Sequence, residues 1–172
     1  TANVVVTLDE HGVRAIDKFS VDAGSSKLLG SAMPRAMDRA SWRIDIEQFE
    51  NAGSDLEGRF DIGQDGAISA TVSGRRFDSG PILDAEEKGA EPSAETAGES
   101  GLRLNARFDE LRWGPERKLR QANLLLHRQK GVVRGLVLDG LLGKQAKLDI
   151  KFLPGPDGQI LRIVADDFGE VL

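Results

Sequence analysis

The apolar residues of this chain return at every second position, and that period decides what it can fold into. Trp42, Ile44 and Ile46 alternate with Arg43 and Asp45, and Leu56, Gly58, Phe60 and Ile62 alternate in the same way. Ile68, Ala70 and Val72 follow; farther on come Leu102, Leu104, Ala106 and Phe108, then Leu124 and Leu126, Leu136 and Leu138, and Ala146, Leu148, Ile150 and Phe152. A period of two puts the apolar side chains of a segment on one face of a strand, whereas a helical stripe needs spacings of three and four. A last strand falls at about 159–165.

The connections agree with strands. QDG at 64–66 and PDG at 156–158 carry Asp-Gly turns suited to tight hairpins, and GPE at 114–116 and KG at 130–131 break the chain between other apolar segments. About ten strands joined by short turns predict an all-β, mainly antiparallel fold, a curved meander sheet that in its sharper form is groove-like, with one or two short capping helices. Only residues 26–40 read as helical or irregular, because Leu28, Leu29, Ala32, Met33, Ala36 and Met37 have mixed spacing and Pro34 interrupts them.

Residues 85–100, AEEKGAEPSAETAGES, contain no aromatic or large aliphatic side chain and cannot bury enough surface to offset the entropy of ordering them. They are predicted to be a flexible acidic loop between a first β-rich unit, 1–84, and a second, 101–172, although the two can equally form one continuous sheet. Glu86, Glu87, Glu91, Glu95 and Glu99 against Lys88 place a net charge of -4 here, out of -5 for the whole chain. The near-neutral remainder has no concentrated basic face of the kind that phosphate binding requires, so nucleic acid is not an expected partner. No apolar run approaches the roughly 18 residues that cross a bilayer as a helix. The absence of cysteine excludes disulfides and thiolate metal sites.

Two related hexapeptides stand 89 residues apart, DSGPIL at 78–83 and DFGEVL at 167–172. Each follows an amphipathic strand, an Asp-Gly turn and a second strand. Asp78 or Ser79, and Asp166 or Asp167, are suitable helix N-caps, and Pro81 is tolerated in a first turn, so each motif reads as a strand running into a short helix. The spacing predicts a repeated unit. Because the first motif is an internal joint, the chain is expected to be a piece of a longer protein.

Few residues could carry chemistry. His11 lies in a turn, and His127 closes an apolar strand; neither has a second histidine or a carboxylate at ligand spacing, which predicts surface histidines and no metal site. Asp166 and Asp167 fit capping better than a carboxylate dyad. GLLGKQ at 140–145 lacks the spacing of a phosphate loop and reads as a hairpin turn; no G-x-S-x-G occurs, and tyrosine is absent. The expectation is a protein without catalytic residues, cofactor or metal. A one-layer sheet leaves its apolar face in need of a cover: a second sheet, another part of a longer protein, or lipid. The residues expected to line a groove in the last case are Leu102, Leu104, Phe108, Leu136, Leu138, Leu148, Ile150 and Phe152.

Over residues 42–172 the order of these segments resembles the C-terminal region of the AsmA-like family of bacterial envelope proteins, related to YhdP and TamB. The stretches that carry the likeness are ISATVSGRRFDSGPIL, FDELRWGPERKLRQANLLLHRQ, GVVRGLVLDGLLG and RIVADDFGEVL. The resemblance implies a periplasmic segment of a parent protein held in the inner membrane by a helix not present here. It also implies long curved sheets whose hydrophobic groove passes phospholipid or another acyl lipid toward the outer membrane. Lipid and envelope proteins are the partners it implies, with a role in structural assembly of the outer membrane as the alternative.

Overall fold

A computed structural model describes residues 1–35, 40–81, 100–114, 117–143, 145–155 and 158–166. The described residues form eleven strands: β1 (Ala2–Asp9), β2 (Gly12–Ala23), β3 (Ser26–Pro34), β4 (Trp42–Glu50), β5 (Asp55–Ile62), β6 (Ile68–Asp78), β7 (Leu102–Arg112), β8 (Lys118–Gln129), β9 (Val132–Leu142), β10 (Ala146–Gly155) and β11 (Gly158–Ala165). They make one open sheet in which spatial order equals sequence order. The strands on both sides of the acidic stretch therefore belong to the same sheet.

Every pairing is antiparallel except β6 with β7, which run parallel, Ile68 beside Leu102 and Asp78 beside Arg112. A parallel pair cannot be joined by a tight turn and needs a crossover of a dozen or more residues. The segment between Asp78 and Leu102 supplies that length. The other joints are short. At Lys130 and Gly131 the backbone has φ of 49° and 73°, both positive as a type I′ turn requires, which is why glycine stands at the second position. At Gln64–Gly66 the Asp65 carboxylate accepts from the Ala67 amide at 3.0 Å, fixing the Asp-Gly turn that the sequence predicts.

One expectation changes. Residues 26–34 are not helical but form β3, with Leu28, Gly30 and Ala32 on the same face as the apolar residues of β4. Leu29 and Met33 point the other way, and it is their presence between small residues that blurs the period. Pro34 is tolerated because it sits at the last position of the strand; residues 36–39 lie outside the described residues. The segments expected to hold the capping helices, 82–99 and 167–172, lie outside the described residues. Gly80 and Pro81 have helical backbone, and the Asp78 carboxylate accepts from the Gly80 amide at 2.9 Å. Asp166 does something different. Its carboxylate accepts from the Lys147 amide at 3.0 Å, tying the end of β11 to β10.

The core is a cluster on β6–β10 that includes Val72, Ala106, Phe108, Leu111, Leu119, Ala122, Leu142 and Leu148. Phe77 and Phe108 stack with ring centroids 5.1 Å apart, a geometry that adds to simple burial. Among the described residues no second sheet or helix packs on this one, and each strand makes its principal contacts with its sequence neighbours.

Candidate functional site

Directly paired residues of adjacent strands share a face, so the register can be followed as rows running across the sheet. One row passes through Val6, Ile16, Ala32, Ile44, Phe60, Ala70, Leu104, Leu126, Leu136, Phe152 and Leu161. The next passes through Val4, Phe19, Gly30, Ile46, Gly58, Val72, Ala106, Leu124, Leu138, Ile150 and Ile163. Both cross all eleven strands without a single polar side chain. A third row, Ala2, Val21, Leu28, Phe49, Leu56, Gly74, Phe108 and Ala122, crosses the first eight strands and resumes at Gly140, Leu148 and Ala165.

The rows stay aligned because bulges absorb the irregular spacings. Ile16 and Phe19 are three apart, yet both join the face, since the register shifts between them. Ile46 and Phe49 are reconciled by a shift in the same way. On β8 the shift lies between Arg120 and Asn123, where Gln121 takes a φ of 50°. Opposite it stands Gly140, whose missing Cβ leaves room for the Leu119 side chain; a Cβ there would lie 2.6 Å from Leu119 Cγ and 2.8 Å from the Arg120 carbonyl oxygen. Each bulge bends its strand while keeping the apolar side chains together.

All eight residues expected to line a groove lie on this face. Leu104, Leu136 and Phe152 share the first row, Leu138 and Ile150 the second, and Phe108 and Leu148 the third, while Leu102 lies beyond the first row between Ile68 and Arg128. They differ in access: Phe108 is 5% and Leu148 4% exposed, so these two are floor, and the other six are only partly buried. The sequence reading missed the N-terminal part of the face, Val4, Val6, Ile16, Phe19, Val21 and Leu28. The signal was there in Val4 and Val6, but the bulge between Ile16 and Phe19 breaks the count of two.

The opposite face carries paired charged residues, interspersed with apolar ones such as Leu125, Val137 and Leu153. Arg43 donates to Asp61 at 2.9 Å and Arg59 to Asp45 at 2.6 Å, Asn123 donates to Asp139 at 2.9 Å, and Lys151 pairs with Asp149 at 2.8 Å. The hydrogen bond from Arg43 holds the Asp61 carboxyl below its ordinary range, with Arg35 and Arg59 adding to the effect. Burial pushes the Glu110 carboxyl up, but Arg112 and Lys118 together outweigh it and leave it lowered. These pairs satisfy the face rather than build a reaction centre. His127 lies on the same face, two strands from Ser69 through Arg103, with no histidine or carboxylate partner in its pairings. Among the described residues no group of three or more His, Cys, Asp and Glu is placed to hold a metal ion. No helix of the described residues is long and apolar enough to cross a membrane.

Two hollows of the described surface also lie on this side. One, about 840 Å³, sits between Glu47, Glu57, Arg75, Arg107 and Asn123. Another, about 810 Å³, is bounded by Thr71, Asn105, Leu125, Val137 and Leu153. Both are shallow and open, and neither gathers a nucleophile with a base. The apolar rows form a continuous surface instead of a chamber.

An open, mainly antiparallel sheet, single-layered among the described residues, with one face crossed by apolar rows and ion pairs on the other, is thus the class of structure that this chain defines. No family model, no curated protein and no solved structure matches it.

Proposed function

We propose that the chain is a non-catalytic, periplasmic segment of an AsmA-like envelope protein. In this reading its apolar face contributes a hydrophobic β-groove for phospholipid transfer between the inner and outer membranes, and the parent protein is anchored in the inner membrane. The observation that carries the proposal is the pair of rows that cross eleven strands with no polar side chain, with the ion pairs on the opposite face. At about 4.8 Å between strands such a row runs on the order of 48 Å, and three rows at about 6.7 Å spacing are roughly 13 Å wide. Acyl chains laid along the rows are held by non-directional burial, about 0.8 kcal/mol for each CH2 group. Holding them needs no convergent polar set, and movement along a row crosses no polar barrier.

Native mass spectrometry and lipid extraction of the purified chain test this reading. Co-purifying phospholipid is expected for the natural sequence, with loss of most of it in Leu138→Asp and retention in Val137→Asp, one residue along on the opposite face. A chain that takes up no lipid from vesicles at any ratio, or equal loss in the two variants, overturns it. The second reading is a structural module for outer-membrane assembly that binds protein through its apolar face or edge strands. The exposed apolar side chains of β1 and β11 favour it.

A further inference from the structure

Charge divides the sheet along its strand order. Residues 102–165, from the start of β7 to the end of β11, carry thirteen lysines and arginines against six aspartates and glutamates, a net charge of +7. Residues 1–81 carry nine against thirteen, a net charge of -4. The three apolar rows hold none of these charges, so the positive excess of β7–β11 lies on the other face, in the turns and at the strand ends.

The hollow of about 810 Å³ belongs to this positive half. Among the described residues no carboxylate lines it, whereas the other hollow has Glu47, Glu57 and Asp109 in its wall. Leu125 and Leu153, 49% and 42% exposed, give it an apolar part, and the exposed Arg103 and Arg134 line it as well. Leu125 stands between Leu124 and Leu126 of the apolar rows, and Arg103 between Leu102 and Leu104, so both point away from those rows. These arginines also differ from the others. Arg43, Arg59, Arg75 and Arg112 each pair with a carboxylate, but among the described residues no ion pair or hydrogen bond engages Arg103 or Arg134.

We infer that this side of β7–β10 docks on the surface of a bilayer that carries anionic phospholipid. The surface combines unpaired cations with exposed leucines, and a lipid interface meets both needs at once: the phosphates attract the arginines, and the leucines enter between headgroups. Nucleic acid would neutralise the arginines and leave the leucines in water. The acidic stretch at 85–100 would do the same, because it contains no large aliphatic side chain. Docked in this way, the sheet lies on the bilayer with its apolar rows turned away from it. The inference therefore does not depend on what fills the groove. Lipid that stays with the purified chain reads the groove, and the charge of the vesicle reads the docking, so either can fail alone.

Co-sedimentation with vesicles of phosphatidylcholine, with and without phosphatidylglycerol, tests it. At about 0.1 M salt the natural chain is expected to bind the anionic vesicles at least about 25-fold more tightly than the neutral ones, at about fivefold for each of the two arginines. In about 1 M salt, where the screening length falls from about 10 Å to about 3 Å, the preference is expected to vanish. Arg103→Gln with Arg134→Gln removes it, whereas Arg43→Gln with Arg59→Gln, the same change of net charge among paired arginines, retains it. Leu125→Ser with Leu153→Ser weakens binding to the anionic vesicles, which adsorption by charge alone does not require. Circular dichroism checks that each variant remains a sheet. Equal binding to the two kinds of vesicle, equal loss in the two arginine pairs, or no effect of the serines overturns the inference. A preference that emerges only when Glu86, Glu87, Glu91, Glu95 and Glu99 are replaced by glutamine overturns it too, because the chain's own acidic stretch then covers the arginines.

Discussion

Replacing Leu148 and Leu161 separately by alanine measures how open the apolar face is. Both leucines belong to the apolar rows and both substitutions remove the same three carbons, yet Leu148 is 4% exposed and Leu161 59%. At about 0.8 kcal/mol for each buried CH2, the transfer loss is about 2 kcal/mol at Leu148 and about 1 kcal/mol at Leu161. Leu148 packs within the core cluster with Ala146, Leu142 and Leu119, so its truncation also leaves a cavity, which brings the cost to about 3 kcal/mol. Leu161 leaves none, because its outer side already meets water. Urea unfolding at low protein concentration, followed by circular dichroism, reads both values as shifts in midpoint at constant m. A difference of about 2 kcal/mol is expected. Equal costs for the two variants would mean that the face is covered at its edge as it is at its centre, and would refute the one-layer reading on which the groove rests.

Gly140→Ala is expected to lower stability by about 1–3 kcal/mol, not to raise it as glycine replacement in a strand otherwise does, because the new Cβ would meet Leu119 Cγ at 2.6 Å and the Arg120 carbonyl oxygen at 2.8 Å; the same urea titration reads it. The Asp61 carboxyl has its pKa lowered by Arg43, so its contribution to stability is present above the ordinary carboxylate pKa, about 3.9, and lost as pH falls through the lower folded value. Asp61→Asn is therefore expected to be less stable than the natural chain at neutral pH and to show a flatter acid limb below pH 4 in unfolding midpoints measured across pH.

What the sequence discloses here is a matter of which signals survive bulging. From Trp42 to Ile46, from Leu56 to Ile62 and from Leu102 to Phe108 the alternation is unbroken, and those strands are legible to within a residue or two. Between Ile16 and Phe19 a bulge changes the phase, and in β3 the face is made by Leu28, Gly30 and Ala32, two of them too small to stand out beside Leu29 and Met33. Gly30 belongs to an apolar row because the Phe19 ring lies over it, its Cζ 2.7 Å from where a Cβ would be; the aromatic partner fills the place on another strand, and no single-strand pattern records that. The parallel β6–β7 pair is equally hidden. The length of the segment between the two strands permits a parallel return without demanding it. The apolar positions of the site were readable, but their division into buried floor and accessible surface was not, since Leu148 and Leu138 look alike in sequence and differ only in what the neighbouring strands place beside them.

The one-layer arrangement also explains why an extended apolar face can coexist with a stable sheet. With each strand packed chiefly on its sequence neighbours, stability accumulates as a sum over adjacent pairs, much as in solenoid proteins, and does not require a second layer to seal a central core. The charged face then has its own task. The Arg43–Asp61, Arg59–Asp45 and Lys151–Asp149 pairs lie at or near the surface, where each is worth little in folding free energy. They keep their part of that side hydrated and self-satisfied, and so leave the other for apolar partners. A sheet with equivalent faces would offer an apolar ligand two ways to bind. This one favours one side, because the two apolar rows cross all eleven strands while the ion pairs lie opposite.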